Sequence, residues 1–113
     1  MNTYAIWVDL APGVNDLEFT EAVSSFLGFL KEQGQMESFR LQRRKLGFGP
    51  QELGEWFIQI EVKDLTQLDA AFNIAAARSG ESERLHGEVF RRVRNFRSAL
   101  YRDFPDPVRA AFE

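Results

Sequence analysis

Residues 56 to 75 run Trp-Phe-Ile-Gln-Ile-Glu-Val-Lys-Asp-Leu-Thr-Gln-Leu-Asp-Ala-Ala-Phe-Asn-Ile-Ala, and the hydrophobic period changes once inside that stretch. Trp56, Ile58, Ile60 and Val62 alternate against Phe57, Gln59 and Glu61, the period of a strand with one apolar face. Beyond it, Leu65, Leu68, Ala71, Phe72 and Ala75 recur at steps of three and four, the period of an amphipathic helix. Asp64, with Gln67 three residues later, can satisfy free amides at the helix start, and Gly80 marks its expected end. A strand that passes directly into a capped helix sets the frame for everything on either side.

Upstream, Gly47-Phe48-Gly49-Pro50-Gln51-Glu52-Leu53-Gly54 is dense in residues that tolerate turns. Before it, residues 36 to 46 alternate, with Phe39 and Leu41 opposite Ser38, Arg40, Gln42 and Arg44. The two strands make a hairpin with a long loop. Farther back, Tyr4, Ile6, Val8 and Leu10 alternate against Thr3, Ala5, Trp7 and Asp9, and Ala11-Pro12-Gly13 breaks that strand. Asn15 and Glu18 then open a helix whose stripe is Phe19, Ala22, Val23, Phe26, Leu27 and Leu30, stopped by Gly34. Downstream, Leu85, Val89 and Val93 stand at helical spacing, while Phe96, Ser98, Leu100, Arg102 and Phe104 alternate against Arg97, Ala99, Tyr101 and Asp103. A short third helix followed by a fourth strand is expected, with one helix over residues 83 to 104 as the competing pattern. Pro105 and Pro107 argue against continuing either into the tail from Asp106 onward.

The order β-α-β-β-α-β is the split βαβ arrangement, an α+β, ferredoxin-like fold with two helices on one face of a four-stranded antiparallel sheet. The 113 residues suffice for one core and are read as a single domain. A hydrophobic share of 44% with 11 Phe excludes a disordered chain. With no cysteine and one histidine, neither disulfides nor a zinc site is expected, and no cofactor is implied. Lacking a basic leader and an apolar run of spanning length, the chain is expected in the cytoplasm, away from membranes.

Helices on one face leave Ala5, Trp7, Asp9, Arg40, Gln42, Arg44, Phe57, Gln59, Glu61 and Tyr101 on the other. Large aromatics on an open face call for a cover, and a second copy of the chain supplies one, making a homodimer. The same face suits a small ligand, with Trp7, Phe57 and Tyr101 as walls and Arg40 and Arg44 as anchors. The expected function is therefore a small-molecule-binding or structural module, with a pocket between the sheet and helices or between subunits.

No catalytic motif is present. His86 is the lone histidine, and it, Asp9 and Tyr101 are the candidate proton-handling groups. Asp9, Glu61 and Asp103 also suit ion pairs with Arg40, Arg44 or Arg102. From Arg84 to Arg102 there are six Arg and one acid, Glu88, a segment that suits nucleic-acid or phosphate contact. A net charge of −3 and the lack of a recognition helix weigh against nucleic acid as a partner. The glycine loop at residues 47 to 50 precedes a strand and contains Pro50, so it fits a hairpin connection better than a phosphate cradle.

The element order and size resemble the dimeric α/β-barrel superfamily, which includes stress-responsive barrel proteins and antibiotic-biosynthesis-type monooxygenases. More narrowly, Arg43-Arg44-Lys45-Leu46-Gly47-Phe48-Gly49-Pro50 and Leu100-Tyr101-Arg102-Asp103-Phe104-Pro105-Asp106 resemble segments of short bacterial proteins of unknown function in that superfamily. The resemblance implies a fold and a dimer in which two sheets face each other. It also admits a cofactor-independent monooxygenase or isomerase, in which a pocket orients a reactive substrate and His86, Asp9 or Tyr101 handles the proton. Fold alone does not choose among these activities.

Overall fold

The computed structural model describes residues 1–77 and 80–105. The chain runs β1 (Asn2–Leu10), α1 (Asp16–Glu32), β2 (Ser38–Arg43), β3 (Trp56–Val62), α2 (Leu65–Ala75), α3 (Gly80–Phe90) and β4 (Val93–Arg102). The strands form one antiparallel sheet in the order β2-β3-β1-β4. Residues 83 to 104 are thus helix followed by strand. The tail from residue 106 lies outside the described residues.

Side-chain caps fix the helix starts. Asn15 Oδ1 accepts from the amides of Leu17 at 2.8 Å and Glu18 at 3.2 Å, which satisfies donors that the first turn of α1 leaves without partners. At α2, Asp64 Oδ1 accepts from the Gln67 amide, and Gln67 Oε1 in return accepts from the Lys63 amide. The Gln67 amide group also donates to the Gly34 carbonyl and to Glu37 Oε2, so the start of α2 is tied to the turn that ends α1. That turn requires Gly34, whose φ is +77°.

The expected stripe of α1 is buried throughout, against Val8 of β1 and Trp56, Ile58, Ile60 and Val62 of β3. Phe19 and Trp56 meet edge to face with ring centres 5.1 Å apart. Met36 joins this core from the turn before β2.

Three boundaries differ from the sequence reading. α2 ends at Ala75 with Ala76 as its cap, and Gly80 opens α3 instead of closing α2. The second strand is shorter than residues 36 to 46, because Arg44 turns into the loop after bonding its amide to the Glu55 carbonyl. Val93 belongs to β4: it pairs with Leu10, and the Ala11 amide bonds the Arg92 carbonyl just before it. The register then shifts between Trp7 and Asp9, where Asn95 takes a φ of +57°. Asparagine is among the few residues that tolerate that conformation, and it supplies the bulge.

The helices do not cover the sheet evenly. α3 packs on α1 instead of lying across β4, and no residue of β4 is fully buried. Phe96 and Leu100, on the helix side of β4, are each 50% exposed.

Candidate functional site

The sheet separates two concave regions. Between the sheet and the helices lies a cavity of about 280 Å³. Its floor is Tyr4, Ile6, Val8, Ile58 and Ile60, and α1 and α2 supply Phe26, Leu27, Leu30, Leu68 and Ala71 above it. Phe72, Phe90 and Phe96 line it as well and are exposed, so these rings form its rim.

His86 lines this cavity from α3, half-buried, with its ring 5.3 Å from Phe26 and 6.0 Å from Phe90 between centres. Tyr4 lines it from β1, and its ring meets Phe72 edge to face at 5.2 Å. Among the described residues neither the imidazole nor the Tyr4 hydroxyl makes a hydrogen bond, and neither is sealed from solvent.

On the open face, pairing sets the side chains in rows across the strands. One row is Gln42, Phe57, Trp7 and Arg97; the next is Arg40, Gln59, Ala5 and Ala99; the third is Ser38, Glu61, Thr3 and Tyr101. Trp7 and Phe57 stack nearly parallel, 11° apart with ring centres at 5.0 Å. A shallow groove of about 330 Å³ runs from this pair to the loop between β2 and β3, lined also by Arg44, Phe48 and Pro50. Tyr101 stands two rows from Trp7, roughly 13 Å along the strands, and Arg40 lies one row away on the edge strand. Trp7, Phe57 and Arg44 are therefore brought together, whereas Arg40 and Tyr101 stand outside the groove.

Arg44 faces inward to its own loop. Its guanidinium donates to the carbonyls of Pro50, Leu53 and Gly54 at 2.9 to 3.3 Å, so it organises the wall of the groove. Arg43, which the sequence reading did not single out for pairing, makes ion pairs to Glu55 at 2.8 Å and Asp16 at 3.2 Å and lies over the Trp56 ring, while Asp103 pairs with the Met1 amino terminus.

The three proton-handling candidates do not converge. His86 lies on the helix side of the sheet, while Asp9 and Tyr101 lie on the open side, roughly 20 Å apart along β1 and β4. Asp9 is held by structure: it accepts from the Asn95 side chain at 3.0 Å and the Glu55 amide at 2.9 Å. The Asn95 bond, then the Glu55 amide, and then the nearby Arg94 and Arg44 charges keep its carboxyl below the usual range. In the basic segment, Arg84 bonds Glu81, and both Arg91 and Arg92 bond Glu88, so half of its arginines are engaged within α3 and the turn after it. Among the described residues no cluster of His, Cys, Asp or Glu has the makings of a metal site, and no helix is long and apolar enough to cross a membrane.

Sequence periodicity placed Tyr4, Phe72 and Val89 on apolar faces but carried no sign that they border a cavity. That depends on how far apart the helices settle. The Asp9–Asn95 bond joins residues 86 apart in sequence; the only local cue was an asparagine entering a strand.

The sheet order, its one-sided helices and its connections define a ferredoxin-like α+β protein. The chain belongs to the family of unknown function DUF6614, whose model matches residues 1–113. No curated protein is significantly similar to it. Among solved structures, it is similar to a dimeric ferredoxin-like protein of unknown function from Jannaschia sp. CCS1, with a TM-score of 0.68 and 14% identity over 90% of this chain and 98% of that one. It is also similar to a dimeric protein of unknown function and ferredoxin-like fold from Bacteroides fragilis NCTC 9343, with a TM-score of 0.58 and 11% identity over 90% of this chain and 95% of that one.

Proposed function

We propose that the protein is a homodimeric binding module that holds a small, mostly apolar molecule between its sheet and its helices. The observation that carries this reading is the cavity of about 280 Å³, walled by aliphatic and aromatic side chains and open at an aromatic rim. The dimer rests on the open sheet face with its stacked Trp7 and Phe57, and two proteins of the same fold are dimeric. Pairing there leaves the cavity of each protomer accessible, because it opens on the opposite side of the sheet. Binding without turnover is favoured over a monooxygenase or isomerase because the three candidate proton-handling residues lie on different sides of the sheet or far apart.

Ligand-observed NMR with 2-methylnaphthalene as probe tests the reading. Wild type is expected to bind it. Ala71→Leu, which puts a larger side chain into the cavity wall, is expected to lose binding while thermal melting confirms that it folds. Absence of binding to wild type, or equal binding to the filled variant, refutes the cavity as the site. A second reading places the ligand against Trp7 and Phe57, favoured by the groove of about 330 Å³ there. Binding that survives Ala71→Leu and disappears in Phe57→Ala selects it.

A further inference from the structure

We infer that the cavity is built for a ligand with one hydrogen-bonding oxygen on an otherwise apolar ring system, a phenol or cyclic ketone, and that His86 and Tyr4 are the residues that select it. This rests on reading the cavity as a ligand site and adds the chemical class that it takes.

Size sets the first limit. An apolar cavity of about 150 Å³ accommodates benzene, so about 280 Å³ accommodates roughly twice that, a compact molecule of about eleven non-hydrogen atoms, the size of two fused rings. The wall sets the second. Phe26, Phe72, Phe90 and Phe96 offer ring faces and edges, which favour a flat aromatic or alicyclic body over a flexible chain. A charged body is disfavoured, since among the described residues no Lys, Arg, Asp or Glu lines the cavity.

The polar groups set the third limit. Among the described residues His86 and Tyr4 are the lining residues that carry hydrogen-bonding side chains, and neither makes a hydrogen bond there. A neutral imidazole offers one donor and one acceptor, and a phenol hydroxyl offers both. Folding commonly pairs such groups when they stand in apolar surroundings. Here they remain accessible to water in an apolar chamber, where a ligand oxygen can take the place of that water. A hydroxyl or carbonyl on the ligand would satisfy either group, whereas a hydrocarbon of the same shape would strip its water and return nothing. Discrimination by a site that loses a hydrogen bond is larger than by one that merely loses a methylene.

The test compares two probes of nearly one shape, 2-naphthol and 2-methylnaphthalene, by NMR titration against wild type, His86→Phe and Tyr4→Phe. Both substitutions keep an aromatic ring in the wall, and Tyr4→Phe removes only a hydroxyl. The ratio of the two dissociation constants is expected to move about fivefold to tenfold against 2-naphthol in at least one variant, the effect of one hydrogen bond, while 2-methylnaphthalene, which no longer strips water from the removed group, binds that variant at least as tightly as wild type. A ratio unchanged in both variants overturns the assignment of His86 and Tyr4, even though 2-methylnaphthalene still binds and the cavity stands. Failure of wild type to bind either probe overturns the cavity reading together with this one.

Discussion

The Asp9 carboxylate accepts from the Glu55 amide and the Asn95 side chain, and so it ties β1 to the residue before β3 and to the bulge in β4. Asp9→Ala removes both bonds and leaves the Glu55 amide to find water; a loss of about 1.5 kcal/mol in stability is expected by urea denaturation. The pH dependence has a definite sign. The folded carboxyl titrates below its ordinary value of 3.8, so the unfolded chain takes up the proton first as pH falls. The stability that Asp9 contributes is full above about pH 5 and declines as pH drops through the depressed value, so the gap between wild type and Asp9→Ala should narrow below about pH 4. A gap constant from pH 7 down to pH 3 would show that charge at Asp9 is irrelevant.

At the scale of elements, the long connection between β2 and β3 is more ordered than its glycines suggest. Arg44 holds three of its carbonyls, and Gly54 lies buried against β1. A Cβ at Gly54 would overlap the Val8 carbonyl, which is backbone in the middle of the sheet and cannot give way. Gly54→Ala is therefore expected to cost roughly 2 kcal/mol or more by the strain of overpacking, a drop visible in thermal melting. Gly47→Ala, in the same loop, meets open space and bears only the strain of a positive φ, so it should cost less. Equal losses at the two positions would mean that the loop does not dock on β1 as described.

The described residues form a slab of 53 × 38 × 17 Å, one sheet and one layer of helices, and none of those helices lies on the far side of the sheet. On that far side Trp7 and Phe57 present a flat apolar surface, flanked by Gln42 and Arg97 in the same row. In the proposed dimer two copies bury this pair, and Trp7→Glu puts a charge into the contact. Light scattering after gel filtration is expected to report a dimer for wild type and a monomer for Trp7→Glu. A monomeric wild type, or a variant that stays dimeric, would remove the open face as the contact.

Local pattern carried a long way. Alternation in residues 3 to 10, 36 to 46 and 56 to 62, and the three-four spacing from Phe19 to Leu30, placed three strands, a helix and their inward faces, apart from the ends of β2, because side-chain period and burial are set along the chain itself. The open-face residues were legible for the same reason. A pocket between sheet and helices or between subunits is expected from the sequence, but which residues line it is not: Tyr4, Phe26, Leu68 and Phe72 stand on apolar faces, and a core residue and a cavity-lining residue have the same periodicity. What opens the space is the seating of α3 on α1, away from β4, and that is settled by contacts between elements distant in sequence. The grouping of Trp7 with Phe57, the distance of Tyr101 from both, and the separation of His86 from Asp9 by the thickness of the sheet likewise follow from register and layer. The sequence alone determined which faces are apolar; tertiary structure decided which of those faces meet and which leave room, because packing distance is a property of the assembled layers.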